Sequence, residues 1–222
     1  MNRKEIKAKA KADIKGKIGV LFAVTFLIGL LSGAIGAVLS CIPGGGLIAS
    51  IIITPAFALS TTRIYLLVVR GTKPEIGQIF SGFDDFFSAF KVTFLVGLYT
   101  FLWSLLFIIP GIVKSYAYSM SLYVLADNKG KSARECIAES VDMTAGHKWE
   151  LFVLGLSFIG WILLTPFTLG LLYIWLAPYM SAATANAYEA LKPVPVVYVP
   201  VEEETPAAEA APAVEGASED AE

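Results

Sequence analysis

"FIIPGIVKSYAYSMSLYVLAD" (residues 107–127) decides how the rest of this chain is interpreted. A Pro-Gly pair, a lysine and a closing aspartate interrupt one of the most apolar parts of the sequence. An unbroken helix over residues 92–126 would be about 52 Å long, whereas the hydrocarbon core of a bilayer is about 30 Å thick. We therefore predict that Pro110-Gly111 forms a tight turn between two membrane spans.

The composition of the 222-residue chain is typical of a membrane protein. Hydrophobic residues make up 56% and charged residues only 16%, whereas average soluble domains have about 45–50% and about 25%. A crossing helix needs about 20 mostly apolar residues. We predict an all-α, polytopic membrane helix bundle with about six transmembrane helices. The predicted spans cover residues 18–41, 47–69, 92–109, 112–126, 149–165 and 167–190.

The distribution of Lys and Arg predicts the orientation of these spans. Residues 1–17 contain seven Lys or Arg and two acidic residues. With six spans, this segment, the 70–91 and 127–148 loops and the tail share one side, which we expect to be the cytoplasm. Lys114 is then the only Lys or Arg on the other side, provided that Arg63 snorkels toward the cytoplasmic interface. The sequence thus predicts a multi-pass cell-membrane protein with both termini cytoplasmic.

Three segments have the pattern of amphipathic helices at the cytoplasmic face. Residues 1–17 form a basic helix with apolar residues at four-residue spacing, and residues 75–90 carry an aromatic stripe at helical intervals. Residues 132–145 begin with a capping box formed by Ser132 and Glu135. We predict that these helices lie at the membrane interface.

Ionisable residues at membrane depth are functional candidates by default, and prolines inside spans kink helices. A Lys-Trp pair anchors a helix at the interface, and a glutamate suits a helix amino terminus. We expect anchoring to account for most of these residues. The candidate functional or anchoring residues are Arg63, Pro110, Gly111, Lys114, Asp127, His147, Lys148, Trp149, Glu150 and Pro178.

Several classes of protein lack their expected residues in this sequence. The two cysteines and the single histidine give neither a disulfide framework nor a metal-ligand spacing. We find no nucleophile with a partner base, so we predict neither an enzyme nor a cofactor. Nucleic-acid binding is not expected, because residues 75–90 are acidic and lack a basic patch. The apolar run 18–41 far exceeds a signal-peptide core, so we expect a retained helix.

The carboxy-terminal residues 192–222 are rich in Pro, Ala and Glu. Residues 193–222 hold eight acidic residues and no basic one. Such a composition buries too little apolar surface to fold, so we predict a disordered acidic tail. Membrane lipids are the expected partners of the bundle, and membrane or cytoplasmic proteins are candidate partners of the tail.

Three stretches together resemble a known family. They are "FLWSLLFIIPGIVKSYAYSMSLYVLADN" (101–128), "SARECIAESVDMTAGHKWELFVLGLSFIGWILL" (132–164) and "GLLYIWLAPYMSAATANAYEAL" (170–191). They resemble the bacterial integral-membrane family labelled domain of unknown function 975, over roughly residues 1–191. The resemblance implies a polytopic membrane protein, typical of Gram-positive bacteria, with no established activity. It supplies no catalytic or ligand residues.

Three functions remain open at the level of the sequence. We favour a membrane-embedded accessory, scaffold or envelope-homeostasis protein that binds lipid or partner proteins. A small-solute or lipid transporter or channel is the alternative, because Pro55 and Pro178 interrupt spans. A membrane enzyme is the third class.

Overall fold

The computed structural model describes residues 3–42, 44–168 and 170–192. Helices and turns make up these ranges, and no strand occurs within them. The predicted all-α fold is therefore confirmed, whereas the predicted disorder of the tail falls outside the described residues. In chain order the helices are α1 (Arg3–Ile14), α2 (Ile18–Ser40), α3 (Gly45–Val69), α4 (Phe86–Leu106), α5 (Ile108–Tyr118), α6 (Ser121–Asp127), α7 (Ala133–Met143), α8 (Lys148–Leu164) and α9 (Leu171–Leu191), with short 3-10 helices at Ile76–Phe80 and Pro166–Thr168.

Three of the described helices are long and apolar enough to cross a membrane. They are α2, the Ile51–Val69 part of α3, and α4. Helices α7 and α8 make a fourth candidate when they are taken together, although the pair is bent by 90°. The structure thus supports three to four spans, and the predicted number of six is not confirmed.

The bundle is centred on α3 and α9, which pack against each other and against α2. Helix α9 presents four fully buried alanines, and small residues let helices approach closely in a membrane. Helix α2 contributes the buried Leu21 and Val24. The buried alanines of α9 are Ala182, Ala183, Ala185 and Ala187.

The basic segment at the amino terminus forms a helix, α1, that packs along α9. Its apolar residues Ile6, Ala10 and Ile14 are buried in the bundle. Asn186 of α9 donates a hydrogen bond from Nδ2 to Asp13 Oδ2 at 2.8 Å. The apolar face that the sequence offered to a lipid surface is therefore covered by protein.

The expectation of one amphipathic helix over residues 75–90 is wrong. A 3-10 helix ends at Phe80, a turn follows, and Phe86 already begins α4. The guanidinium of Arg63 holds this turn, because it hydrogen-bonds the Ser81 carbonyl and pairs with the Asp85 carboxylate. These contacts replace the snorkelling predicted for Arg63, whose side chain is only 11% exposed.

The expectation of a tight turn at Pro110-Gly111 is also wrong. The chain turns at Phe107, where the backbone is extended at φ −157° and ψ 140°. Pro110 lies in the first turn of α5, where a helix does not need its missing N–H. Gly111 permits close packing of α4 and α5, since a Cβ there would lie 2.8 Å from Ser104 Cα.

The predicted helix over residues 112–126 is two helices, α5 and α6, separated by a break. At 11 and 7 residues, each is too short to cross a membrane alone. In the next segment, the predicted capping box of α7 is confirmed. Ser132 Oγ accepts a hydrogen bond from Glu135 N at 3.3 Å, and Glu135 Oε2 accepts one from Ser132 N at 2.9 Å.

Candidate functional site

The break between α5 and α6 is sealed by side chains of α7. A non-helical backbone inside a membrane protein needs internal hydrogen-bond partners. Ser140 Oγ donates to Ala117 O at 2.7 Å and accepts from Met120 N at 3.2 Å. Thr144 Oγ1 lies 3.3 Å from the same Ala117 carbonyl. Both hydroxyl side chains are fully buried, so α7 is fastened into the bundle at this break.

An ionic network joins the carboxy-terminal ends of α3, α6 and α9, and we call it the end cluster. It consists of Arg70, Asp127, Tyr188, Glu189 and Lys192. Arg70 Nη2 lies 2.7 Å from both Asp127 Oδ1 and Glu189 Oε1. Tyr188 OH donates to Asp127 Oδ2 at 3.2 Å, and Lys192 Nζ pairs with the same oxygen. Three helices are thus tied at one end of the bundle.

Asp127 is the centre of the end cluster, and both of its carboxylate oxygens are occupied. Burial by itself would raise the pKa of this carboxyl, but the hydrogen bonds from Lys192 and Arg70 outweigh it and hold the pKa below its ordinary value. The carboxylate therefore stays ionised and keeps its partners at neutral pH.

The start of α2 lies at the same end of the bundle as the end cluster. Lys17 Nζ donates to the carbonyls of Val68 and Thr72, each at 3.2 Å. These bonds tie the start of α2 to the end of α3 and to the loop that follows it. The start of α2, the loop after α3 and the end of α9 thus lie close together. This agrees with the prediction that the amino-terminal segment, this loop and the end of α9 lie on one side of the membrane. That this side faces the cytoplasm remains a prediction.

A groove of about 400 Å³ lies between α5 and α8. The ring of Phe152 packs edge-on against Tyr116, with 5.7 Å between ring centroids, and stacks on Trp149 at 5.3 Å. Lys148 is the one charged residue among those that line it. The lining residues are Ile109, Ile112, Val113, Tyr116, Lys148, Trp149 and Phe152.

This α5–α8 groove does not agree with part of the predicted topology. The prediction placed Ile109 at the outer end of a span and Lys148 at the cytoplasmic end of another. A hydrocarbon core of about 30 Å would then separate them. In the structure both residues line one groove. The start of α5 therefore lies beside the start of α8, whereas the predicted topology placed these two points at opposite faces of the membrane.

The α4–α5 hairpin leaves its tip uncovered. Phe107, Ile108 and Ile109 are 67%, 75% and 76% exposed, and all residues from 101 to 109 are exposed. Soluble proteins rarely expose a contiguous apolar surface of this extent. A lipid environment would account for this exposed surface, because hydrocarbon chains would cover the tip.

The other predicted residues are distributed over the fold and do not form one site. Lys114 Nζ lies 4.9 Å from the centroid of the Trp103 ring, in a cation–π contact between α5 and α4. His147 Nδ1 lies 3.0 Å from Glu150 Oε2. Pro178 lies inside α9. Of the predicted set, Lys148 and Trp149 line the α5–α8 groove, and Asp127 belongs to the end cluster.

Sequence reasoning missed several residues that make polar contacts between helices. Ser140 and Thr144 carried a usable signal, because two hydroxyl residues at i and i+4 lie on the apolar face of an amphipathic helix. Glu189 and Lys192 carried none, since their partners are more than 60 residues away. Within the described ranges, no three His, Cys, Asp or Glu side chains are grouped to hold a metal ion.

The all-helical fold, the long apolar helices and the exposed apolar hairpin are typical of a helical membrane protein. A family model described as "Protein of unknown function (DUF975)" matches residues 1–115 and 107–194. The chain therefore belongs to this family, as its sequence resemblance predicted. Neither a curated protein nor a solved structure matches the chain.

Proposed function

We propose that this protein is a membrane-embedded accessory protein that binds a phospholipid in the α5–α8 groove. In this proposal the role is non-catalytic, with an acyl chain along the apolar wall and the headgroup phosphate beside Lys148. The observation that carries the proposal is the groove itself, an apolar cavity with one cation in its lining.

The size and lining of the groove suit a hydrocarbon chain. Ligand pockets are mostly about 300–1,000 Å³ and largely apolar, with a few polar groups that fix the orientation of the ligand. The groove is within this range at about 400 Å³. Tyr116 and Phe152 form its aromatic floor, and Ile112 and Val113 form its aliphatic wall.

The groove is accessible from the lipid phase. Ile109, Ile112 and Val113 line it and are also exposed, so its α5 wall continues into the uncovered surface of the hairpin tip. An acyl chain therefore enters from the bilayer without passing through water. The free-energy cost of moving the acyl chain into the groove is small, because the bilayer interior and the groove are both apolar.

Lys148 and Trp149 provide the polar end of the proposed site. Tryptophan concentrates at the level of the lipid headgroups, and a basic residue near the surface of an anionic membrane contributes about 1 kcal/mol of attraction. Trp149 is 72% exposed, so its ring is available to the lipid. This pair supports an anionic headgroup as the preferred ligand.

The membrane arrangement is part of the proposal. We infer that the end cluster and the start of α2 face the cytoplasm, since the Lys- and Arg-rich segments gather there. Helices α2, α3 and α4 cross the cell membrane, and α7 packs where α5 and α6 separate. The uncovered hairpin tip then lies in lipid beside the groove.

The proposal is tested by filling the groove. Val113→Trp places a large ring in it, whereas Leu105→Trp adds the same ring at a 77% exposed position of α4 that does not line it. Native mass spectrometry of protein released from anionic nanodiscs counts the retained phospholipids. We expect Val113→Trp to lose a phospholipid that the wild type and Leu105→Trp retain. Equal retention by all three proteins would contradict the proposal.

A further inference from the structure

A smaller cavity, the α3–α6 cleft, lies between the last turns of α3 and the end of α6. Its volume is about 200 Å³, which is small for a lipid chain but ample for a single polar group. Three of its six lining residues are basic, and the others are apolar. The lining residues are Arg63, Leu66, Leu67, Arg70, Ala126 and Lys129.

The charges around this cleft leave a cationic surplus. The neighbouring carboxylates already have partners: Asp85 pairs with Arg63, and Asp127 and Glu189 pair with Arg70. Lys129 is exposed and forms no ion pair with any residue that the structure describes. A positive charge therefore remains available on the wall of the cleft.

Unused hydrogen-bond donors accompany this charge. Arg70 contacts its two carboxylates through Nε and Nη2, and Nη1 takes no part in those contacts. Arg63 Nε is buried and has no hydrogen-bond partner in the described structure. An unpaired buried donor costs about 1–3 kcal/mol, so an acceptor that reaches it, directly or through water, is favoured.

We propose that the α3–α6 cleft binds one phosphate group, held by Lys129 and the free edge of Arg70. Phosphate oxygens are strong acceptors, and they match both a lysine ammonium and an arginine fork. Basic pockets between helices at the cytoplasmic face of membrane proteins bind anionic lipid headgroups. The position of the cleft beside the end cluster, with Leu66 and Leu67 as an apolar wall, suits a phosphodiester with attached glycerol. Free phosphate offers the same oxygens.

This site is independent of the α5–α8 groove, because the two cavities share no lining residue. The test uses Lys129→Gln, which removes the exposed cation without touching the buried pairs. Lys73→Gln is the matched control, since Lys73 is an exposed lysine in the loop after α3 that does not line the cleft. Both variants are expected to fold as the wild type does.

The first measurement is native mass spectrometry after reconstitution into nanodiscs of phosphatidylcholine with or without phosphatidylglycerol. The second is the thermal stability of detergent-purified protein as inorganic phosphate is added. We expect the wild type and Lys73→Gln to retain one phosphatidylglycerol in addition to any lipid held in the α5–α8 groove, and Lys129→Gln to retain this additional lipid about fivefold more weakly. If free phosphate is the natural ligand, phosphate stabilises the wild type and Lys73→Gln but not Lys129→Gln.

A loss of lipid retention or of phosphate stabilisation that is confined to Lys129→Gln supports the cleft as a phosphate site. Which of the two is lost shows whether the phosphate belongs to a lipid or is free in solution. Identical behaviour of Lys129→Gln and Lys73→Gln in both measurements would overturn it. The Val113→Trp result does not enter this comparison, because that substitution fills the other cavity. The two proposals therefore succeed or fail separately.

Discussion

Ser140 shows how one hydroxyl stabilises an interrupted helix. Its oxygen donates to the Ala117 carbonyl at the end of α5 and accepts from the Met120 amide before α6. Buried backbone groups without partners are costly, and few side chains serve both a donor and an acceptor at once. The position therefore couples α7 to the α5–α6 break more directly than apolar packing does.

Replacing Ser140 with alanine is expected to destabilise the protein by about 1–3 kcal/mol, because the Met120 amide is left buried without a partner. Ser115→Ala is the control, since Ser115 Oγ bonds only to Ile112 O within its own helix. Thermal unfolding in detergent compares the two variants. A Ser140→Ala protein as stable as Ser115→Ala would show that the break is not held by this hydroxyl.

Asp127 gives the end cluster a predictable dependence on pH. Its pKa is lower in the folded protein than the ordinary value of 3.8, despite burial, because Lys192 and Arg70 bond to it. Its contribution to stability is therefore present above the ordinary carboxyl pKa and is lost as the pH falls through the lower folded value. We expect Asp127→Asn to reduce the acid-induced loss of thermal stability below about pH 4.

The control for this pH profile is Asp142→Asn, which changes an exposed carboxylate of α7. Unfolding temperatures measured between neutral and acid pH give the two profiles. If the unfolding temperature of Asp127→Asn fell with pH in parallel with that of the wild type, the end cluster would not contribute to the acid dependence of stability.

At the scale of elements, the sequence predicts secondary structure correctly where a short stretch of residues determines it. The capping box of α7 needs only Ser132 and Glu135, three residues apart, and both of its hydrogen bonds form. The long apolar run after residue 17 forms α2. Such features depend on the backbone nearby, so the sequence alone predicts them.

Elements whose form depends on distant partners were not predicted. The aromatic spacing in residues 75–90 is that of a continuous helix. In the structure the chain turns within this segment, and Arg63 of α3 stabilises the turn through its contacts with Ser81 and Asp85. The break after α5 is stable because residues about 20 positions later supply its hydrogen bonds. Hydrophobic periodicity contains no information about these contacts.

At the scale of the whole molecule, the predicted topology assumed that each apolar segment crosses the membrane once and in alternating direction. The α4–α5 hairpin departs from this rule, since α5 packs by its first turns against the first turns of α8. The groove that results is the main candidate site, and two of its residues, Lys148 and Trp149, were predicted as candidate functional or anchoring residues. Its α5 wall was not predicted, because no local pattern pairs α5 with α8.

Cross-linking tests the pairing of α5 with α8, on which the proposed lipid site depends. In a background in which Cys41 and Cys136 are replaced, one protein carries Val113→Cys with Trp149→Cys. A second carries Val113→Cys with Leu163→Cys, at the other end of α8, where a six-span topology would place the neighbour of residue 113. A short bifunctional maleimide is applied to both in native membranes. We predict cross-linking of the 113–149 pair and none of the 113–163 pair; the reverse pattern would contradict the groove and the account built on it.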